Sequence, residues 1–173
     1  MKKTIILLTL VTSFFIYNEV KSKEIIIPDT AIRLRVIPNS NSVLDQNMKE
    51  KVKDYLEKNI YELLRNKSNI EEARTLIQEN IPLLKENIEI IFKENNYNMN
   101  FDIKYAYNYF PEKDYRGITY EEGYYESIII SIGKAEGDNW WCVLFPNLCL
   151  VDLENKDEKE YKSWVLEIIN KIF

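Results

Sequence analysis

The spacing of apolar residues switches between two and about 3.6 along the chain, and each switch marks an element. From Ala31 to Ile37, Ile32, Leu34 and Val36 alternate with Arg33 and Arg35, the pattern of a half-buried strand. Pro38-Asn39-Ser40-Asn41 ends it with turn chemistry. Ser42 stands three residues before Asp45, the spacing of a capping box. Met48, Val52, Tyr55, Leu56, Ile60, Leu63 and Leu64 then mark one face of a helix to about Arg65. Ser68 and Glu71 repeat the capping signal. Ile70, Ala73, Ile77, Ile81, Leu84, Ile88 and Ile91 carry a second stripe to about Asn95. Pro82 falls inside that stripe, where its missing N–H predicts a kink or a split into two helices.

Two amphipathic helices in succession must cover something, and the rest of the chain supplies a sheet. Phe101, Ile103, Tyr105, Tyr107 and Tyr109 share one face of a strand, and a polar, Gly-containing loop is expected at 111–123. Tyr124 to Ile132 is β-branched and aromatic and ends at Gly133. Trp140 to Phe145 is apolar on both sides, as a central strand would be. Lys159 to Phe173 places Trp164, Ile168 and Ile172 four apart, a closing helix. With neither an internal repeat nor a linker, the expectation is one α+β domain over 30–173. Its small, mostly antiparallel sheet would have about four strands packed with amphipathic helices.

The first residues follow a different logic. Lys2 and Lys3 precede an uncharged run from Thr4 to Tyr17, the layout of a secretory signal. That run is shorter than the about 20 residues a membrane-crossing helix needs. Val20-Lys21-Ser22 offers small residues for cleavage after Ser22, so residues 1–22 read as a signal peptide or as an uncleaved anchor. Losing three Lys and one Glu with this leader takes the formal net charge from −5 to −7. An acidic domain without a basic run is a poor match for nucleic acid or anionic lipid.

The chain has no histidine. This removes Ser-His and Cys-His nucleophiles, His-ligated zinc and the usual base near neutral pH. Two cysteines do not make a structural zinc site, and the four glycines are too scattered for a phosphate loop. Carboxylates are plentiful, but Glu121-Glu122 reads as solvated charge, and Asp45, Glu57 and Glu71 fall on capping or solvent faces. No catalytic, cofactor-binding or metal constellation assembles, and no small-molecule substrate is expected.

The stretch Gly137-Asp138-Asn139-Trp140-Trp141-Cys142-Val143-Leu144-Phe145-Pro146-Asn147-Leu148-Cys149 is unusual. Adjacent Trp residues on a strand face opposite sides, so one enters the core and the other needs cover from a helix or a partner. This motif resembles that of the stage II sporulation protein R family, Gly-His-Asn-Trp-Trp-Cys-Val-Leu-Phe-Pro-Pro-Leu-Cys, at eleven of thirteen positions. The stretch Ile32 to Ser42 is similar to the family's Ile-Arg-Leu-His-Val-Ile-Ala-Asn-Ser-Asp-Ser. Gly123 to Gly133 is similar to the strand before the Trp motif. Asp138 and Arg35 stand where the family has His, and Asn147 where it has Pro, so a role requiring those histidines does not carry over.

The resemblance implies an exported messenger of endospore formation, acting between forespore and mother cell. Its implied partner is a membrane-embedded aspartic protease of the mother cell, which processes the precursor of sporulation sigma factor E. The chemistry would belong to that partner. Pro38–Ser42 and Asp138–Cys149 both hold turn residues beside strand ends, where loops present function on a rigid scaffold. They are expected to lie together, with Asn39, Ser40, Asn139, Trp140, Trp141, Phe145 and Pro146 as candidate receptor contacts. The competing reading has Asn39 and Ser40 merely capping the following helix. Cys142 and Cys149 would form a disulfide if Pro146 turns the chain enough to bring their Cα atoms within about 7 Å, and otherwise remain two buried thiols. The rival class is an exported envelope hydrolase or a cell-wall-binding module.

Overall fold

The computed structural model describes residues 30–115, 118–146, 148 and 158–172. The leader expected at 1–22 lies outside them. In chain order the elements are β1 (Ile32–Ile37), α1 (Val43–Leu64), α2 (Ile70–Glu94), β2 (Phe101–Phe110), β3 (Lys113–Tyr115), β4 (Ile118–Tyr120), β5 (Gly123–Ile132), β6 (Trp140–Phe145) and α3 (Glu158–Ile172). The class is α+β in a single domain, with a mostly antiparallel four-stranded sheet in the order β2-β5-β1-β6 and a separate two-stranded sheet, β3-β4.

The central pair, β1 and β5, is parallel, with Leu34 opposite Ile128 and Val36 opposite Ile130. Parallel neighbours need a long crossover, and α1 and α2 lie within it. They cover one face of the sheet. Ile32, Leu34 and Val36 of β1 and Ile128, Ile130 and Ile132 of β5 meet Val52, Leu56, Ile60, Ile77 and Ile88 there. Ser42 caps α1, its hydroxyl accepting from the Asp45 N–H at 3.2 Å. A half-buried ion pair ties α2 to the sheet: Arg74 Nε donates to both Glu126 oxygens at 2.9 and 2.7 Å.

Several elements differ from expectation for identifiable reasons. Helix α2 runs unbroken through Pro82. Pro82 withdraws one N–H from the ladder, but Ile77 before it and Leu84 and Ile88 after it are buried on one core and hold both halves in line. Its cap is Asn69 rather than Ser68, with Oδ1 accepting from the Glu71 and Glu72 N–H groups at 2.8 and 3.4 Å. The expected loop at 111–123 contains the β3-β4 hairpin, in which Lys113 pairs with Tyr120 and Tyr115 with Ile118. Strand β6 is at the edge of the sheet, not its centre.

Two-sided apolarity in β6 reflects a third layer. On the helix side Trp140, Cys142 and Leu144 join the main core. On the opposite side Trp141 and Val143 join a smaller cluster with Ala31, Ile118, Tyr120 and Val165, where the hairpin and α3 provide cover. Only a sheet covered on both faces admits a Trp on each side of one strand.

Candidate functional site

The turn after β1 and the segment before β6 interlock. The N–H of Gly137 donates to the Pro38 carbonyl at 3.1 Å, and that of Glu136 to the Asn39 carbonyl at 3.4 Å. The Asp138 N–H donates to Asn41 Oδ1 at 2.6 Å. Lys49, buried at 7% exposure, donates to the Asp138 carbonyl at 3.2 Å. Of the segment expected beside Pro38–Ser42, Asp138–Cys149, it is Asp138 that makes these contacts. The others come from the turn upstream of it, and side chains of the first loop and of Lys49 share the bonding with backbone. The contact leaves no room for side chains at two points. A Cβ at Gly137 would fall on the Ser40 carbonyl, and one at Gly133, whose φ is +57°, would fall on Asn39 Oδ1.

Asp45 anchors the arrangement from below. At 5% exposure its carboxylate is buried. It accepts from Asn39 Nδ2 at 2.9 Å, Ser40 Oγ at 2.5 Å and the Tyr97 hydroxyl at 2.5 Å. Burial pushes this carboxyl up, but the hydrogen bonds from Ser40, Tyr97, Asn39 and Ser42 outweigh it and hold its pKa at about 2. The Tyr97 phenol moves the other way, raised by burial and by the bond it donates to Asp45. Asp45 is therefore a buried anchor, not the solvated cap that its position beside Ser42 suggests. The only sequence cue was the cluster of Asn39, Ser40 and Asp45, because Tyr97 is 52 residues away. Glu57, at 9% exposure, is likewise buried and not on a solvent face.

Asn39 bridges rather than caps, since the N-cap of α1 is Ser42. Its amide nitrogen serves Asp45 while its Oδ1 accepts from the Lys134 N–H at 3.0 Å, joining the two loops. Ser40 Oγ accepts from the Ser42 N–H at 3.1 Å as well as donating to Asp45. Asn139 is exposed, Trp140 and Trp141 are half-buried, and Phe145 and Pro146 are buried. Trp141 is ringed by Tyr120 and Phe110, with centroids at 5.3 and 5.9 Å. The accessible face of the interlocked loops thus holds Asn139 with exposed Asn41, Val43 and Leu44; the last two are 78% and 63% exposed. Nothing in the apolar pattern singles out Val43 and Leu44, which precede the stripe that begins at Met48. Cys142 is half-buried, and Cys149 lies outside the described residues.

Among the described residues no group of three or more Cys, Asp or Glu is placed to hold a metal ion. No helix among them is long and apolar enough to cross a membrane.

The profile of the Stage II sporulation protein R family matches residues 28–155, which take in both interlocked loops and all of the main sheet. A curated relative, Stage II sporulation protein R of Bacillus subtilis (strain 168), is 37% identical over 135 residues, covering 78% of this chain and 60% of the relative. The chain thus spans about 60% of the length of the curated relative it matches. No solved structure matches. On the family match and this identity, the chain belongs to the stage II sporulation protein R family.

Proposed function

We propose that this chain is an exported messenger of endospore formation that acts by contact, activating a membrane-embedded aspartic protease of the mother cell. That protease would then process the precursor of sporulation sigma factor E. Family membership carries this reading, and the interlocked loops are its physical support. They fix a small surface by backbone hydrogen bonds and a buried carboxylate. No histidine exists anywhere in the chain to serve as a base. Asp45 is poorly suited to proton transfer, because every one of its donors favours the ionised form. The domain would work in the space between the forespore and mother-cell membranes, delivered there by residues 1–22, and break no bond itself.

The test is reconstitution. Coexpressing the chain with the protease and the precursor should yield cleaved precursor, and omitting either the chain or the protease should abolish it. Cleavage without the chain, or turnover of peptidoglycan by the purified chain, would overturn the reading. In the oxidising exterior Cys142 and Cys149 would be bridged. Intact-mass spectrometry without reductant should then find the chain lighter by two hydrogens, and a full thiol count would refute the bridge.

A further inference from the structure

Arg33 and Arg35 project from the face of β1 opposite the main core, beneath the β3-β4 hairpin. Arg33 is fully buried, at 0% exposure, yet its Nε, Nη1 and Nη2 have no hydrogen-bond partner among the described residues. The Nε of Arg35 has none either. Neither residue takes part in an ion pair among the described residues. What they have is aromatic rings. The Arg33 guanidinium carbon lies 3.4 Å from the centroid of Tyr125, 5.2 Å from Phe110 and 5.4 Å from Trp141. That of Arg35 lies 4.1 Å from Phe110, and its Nη2 donates to the Tyr109 carbonyl at 3.0 Å.

Burial pushes both guanidinium pKa values down, and for Arg33 the neighbouring Tyr125 and Tyr120 oppose the shift. Tyr125 is close enough to steady the cation but makes no hydrogen bond of normal geometry to its three nitrogens. Arginine stays charged even so. A ring against a guanidinium satisfies its face and leaves its N–H edges open. Those edges are what a carboxylate engages, two parallel N–H···O bonds at a time. A stacked, desolvated arginine with free edges is costly alone and becomes favourable once an anion supplies the acceptors.

We propose that Arg33 and Arg35 form a carboxylate-binding site on the outer face of the sheet, walled by Phe110, Tyr125 and Trp141, that accepts an acidic side chain of a partner peptide. Arg35, only partly buried, is the mouth, and Arg33 is the floor. The hairpin is the cover. Among the described residues its strands pair with each other and not with the main sheet, so displacing it would break no strand pairing of that sheet. Its hold is the packing of Ile118 and Tyr120 in the cluster around Trp141. The site lies on the opposite face of the sheet from the main core and stands whichever receptor the domain meets.

The experiment follows the Nε–H signals of Arg33 and Arg35 by nuclear magnetic resonance in the full chain during titration with glutarate. Parallel titrations use chloride at matched ionic strength and inorganic phosphate. With glutarate, both signals should move and saturate, and the backbone amides of Ile118 and Tyr120 should move with them. Chloride should leave all four in place. In Arg35→Met, with a dispersed spectrum confirming the fold, the saturable shift at Arg33 should be lost, and Arg35→Lys should retain only a weakened one. No movement with glutarate, or equal movement with chloride, overturns the site. Saturation by phosphate at lower concentration than by glutarate overturns the choice of carboxylate.

Discussion

Asp45 is the residue on which the candidate surface turns. Its folded-state pKa of about 2 lies below the reference 3.8, so its contribution to stability is complete above the unfolded value and is lost as pH falls toward the folded one. Denaturant midpoints of the wild type should therefore drop between about pH 4 and pH 2. Asp45→Asn should be less stable at neutral pH by about 1–3 kcal/mol, because the Tyr97 hydroxyl and the Ser40 hydroxyl lose a charged acceptor. It should also lose much of that acid dependence; an identical acid profile in both proteins would remove Asp45 as the anchor. Trp141 and Asn139 separate packing from contact. Trp141→Ala should destabilise the domain by about 3–5 kcal/mol, as truncation of a packed Trp does. Asn139→Ala, at an exposed position, should leave the circular dichroism melt unchanged and lower precursor processing. Normal processing by a folded Asn139→Ala variant would exclude that residue from the receptor surface.

Elements were legible in the sequence where one period dominates and local chemistry agrees with it. The alternation in Ile32–Ile37, the stripe from Met48 to Leu64 and the Ser42 cap each describe contacts made within a few residues. The misreadings arise where distant residues decide. Tyr120 and Ile118 are packed by Trp141 and Val165, so the hairpin is stabilised by residues that no window around 111–123 contains. Pro82 reads as a break because local propensity sees the lost N–H and not the sheet beneath Ile77 and Ile88. Apolarity on both sides of β6 reports cover on both faces, a property that edge and central strands share once a third layer exists. The contact between the two loops was legible as turn chemistry at Pro38–Ser42 and at Asp138, but the part made by Gly133 and Gly137 was not, because it depends on the absence of two Cβ atoms. Gly137→Ala tests that tightness. Its methyl group would meet backbone at Ser40 and the ring of Pro38, which has little freedom to retreat. The loops should separate at a cost of about 1–3 kcal/mol, and processing should fall further than stability alone explains. Matching a variant of equal destabilisation in the main core, such as a conservative Ile88→Val, supplies the control.

For the whole molecule, the question is which side of a membrane the surface faces. Among the described residues, both apolar clusters and both interlocked loops are built from residues at or beyond Ala31. A leader that serves only as an address would add nothing to that packing. If contact from outside the cytosol is the whole activity, folding and function must separate cleanly when the address is removed. A chain lacking 1–22 should accumulate in the cytosol with the same amide dispersion and the same denaturant midpoint as the exported form, and leave the precursor uncleaved. Restoring export with an unrelated secretion signal should restore cleavage, since such a signal shares only a charged start and an apolar run. Replacing that run with one broken by charge should abolish it again. Cleavage driven by the leaderless chain would show that the protease is reached from the cytosolic side, and the exported-messenger reading would fall while the fold and the carboxylate site stood.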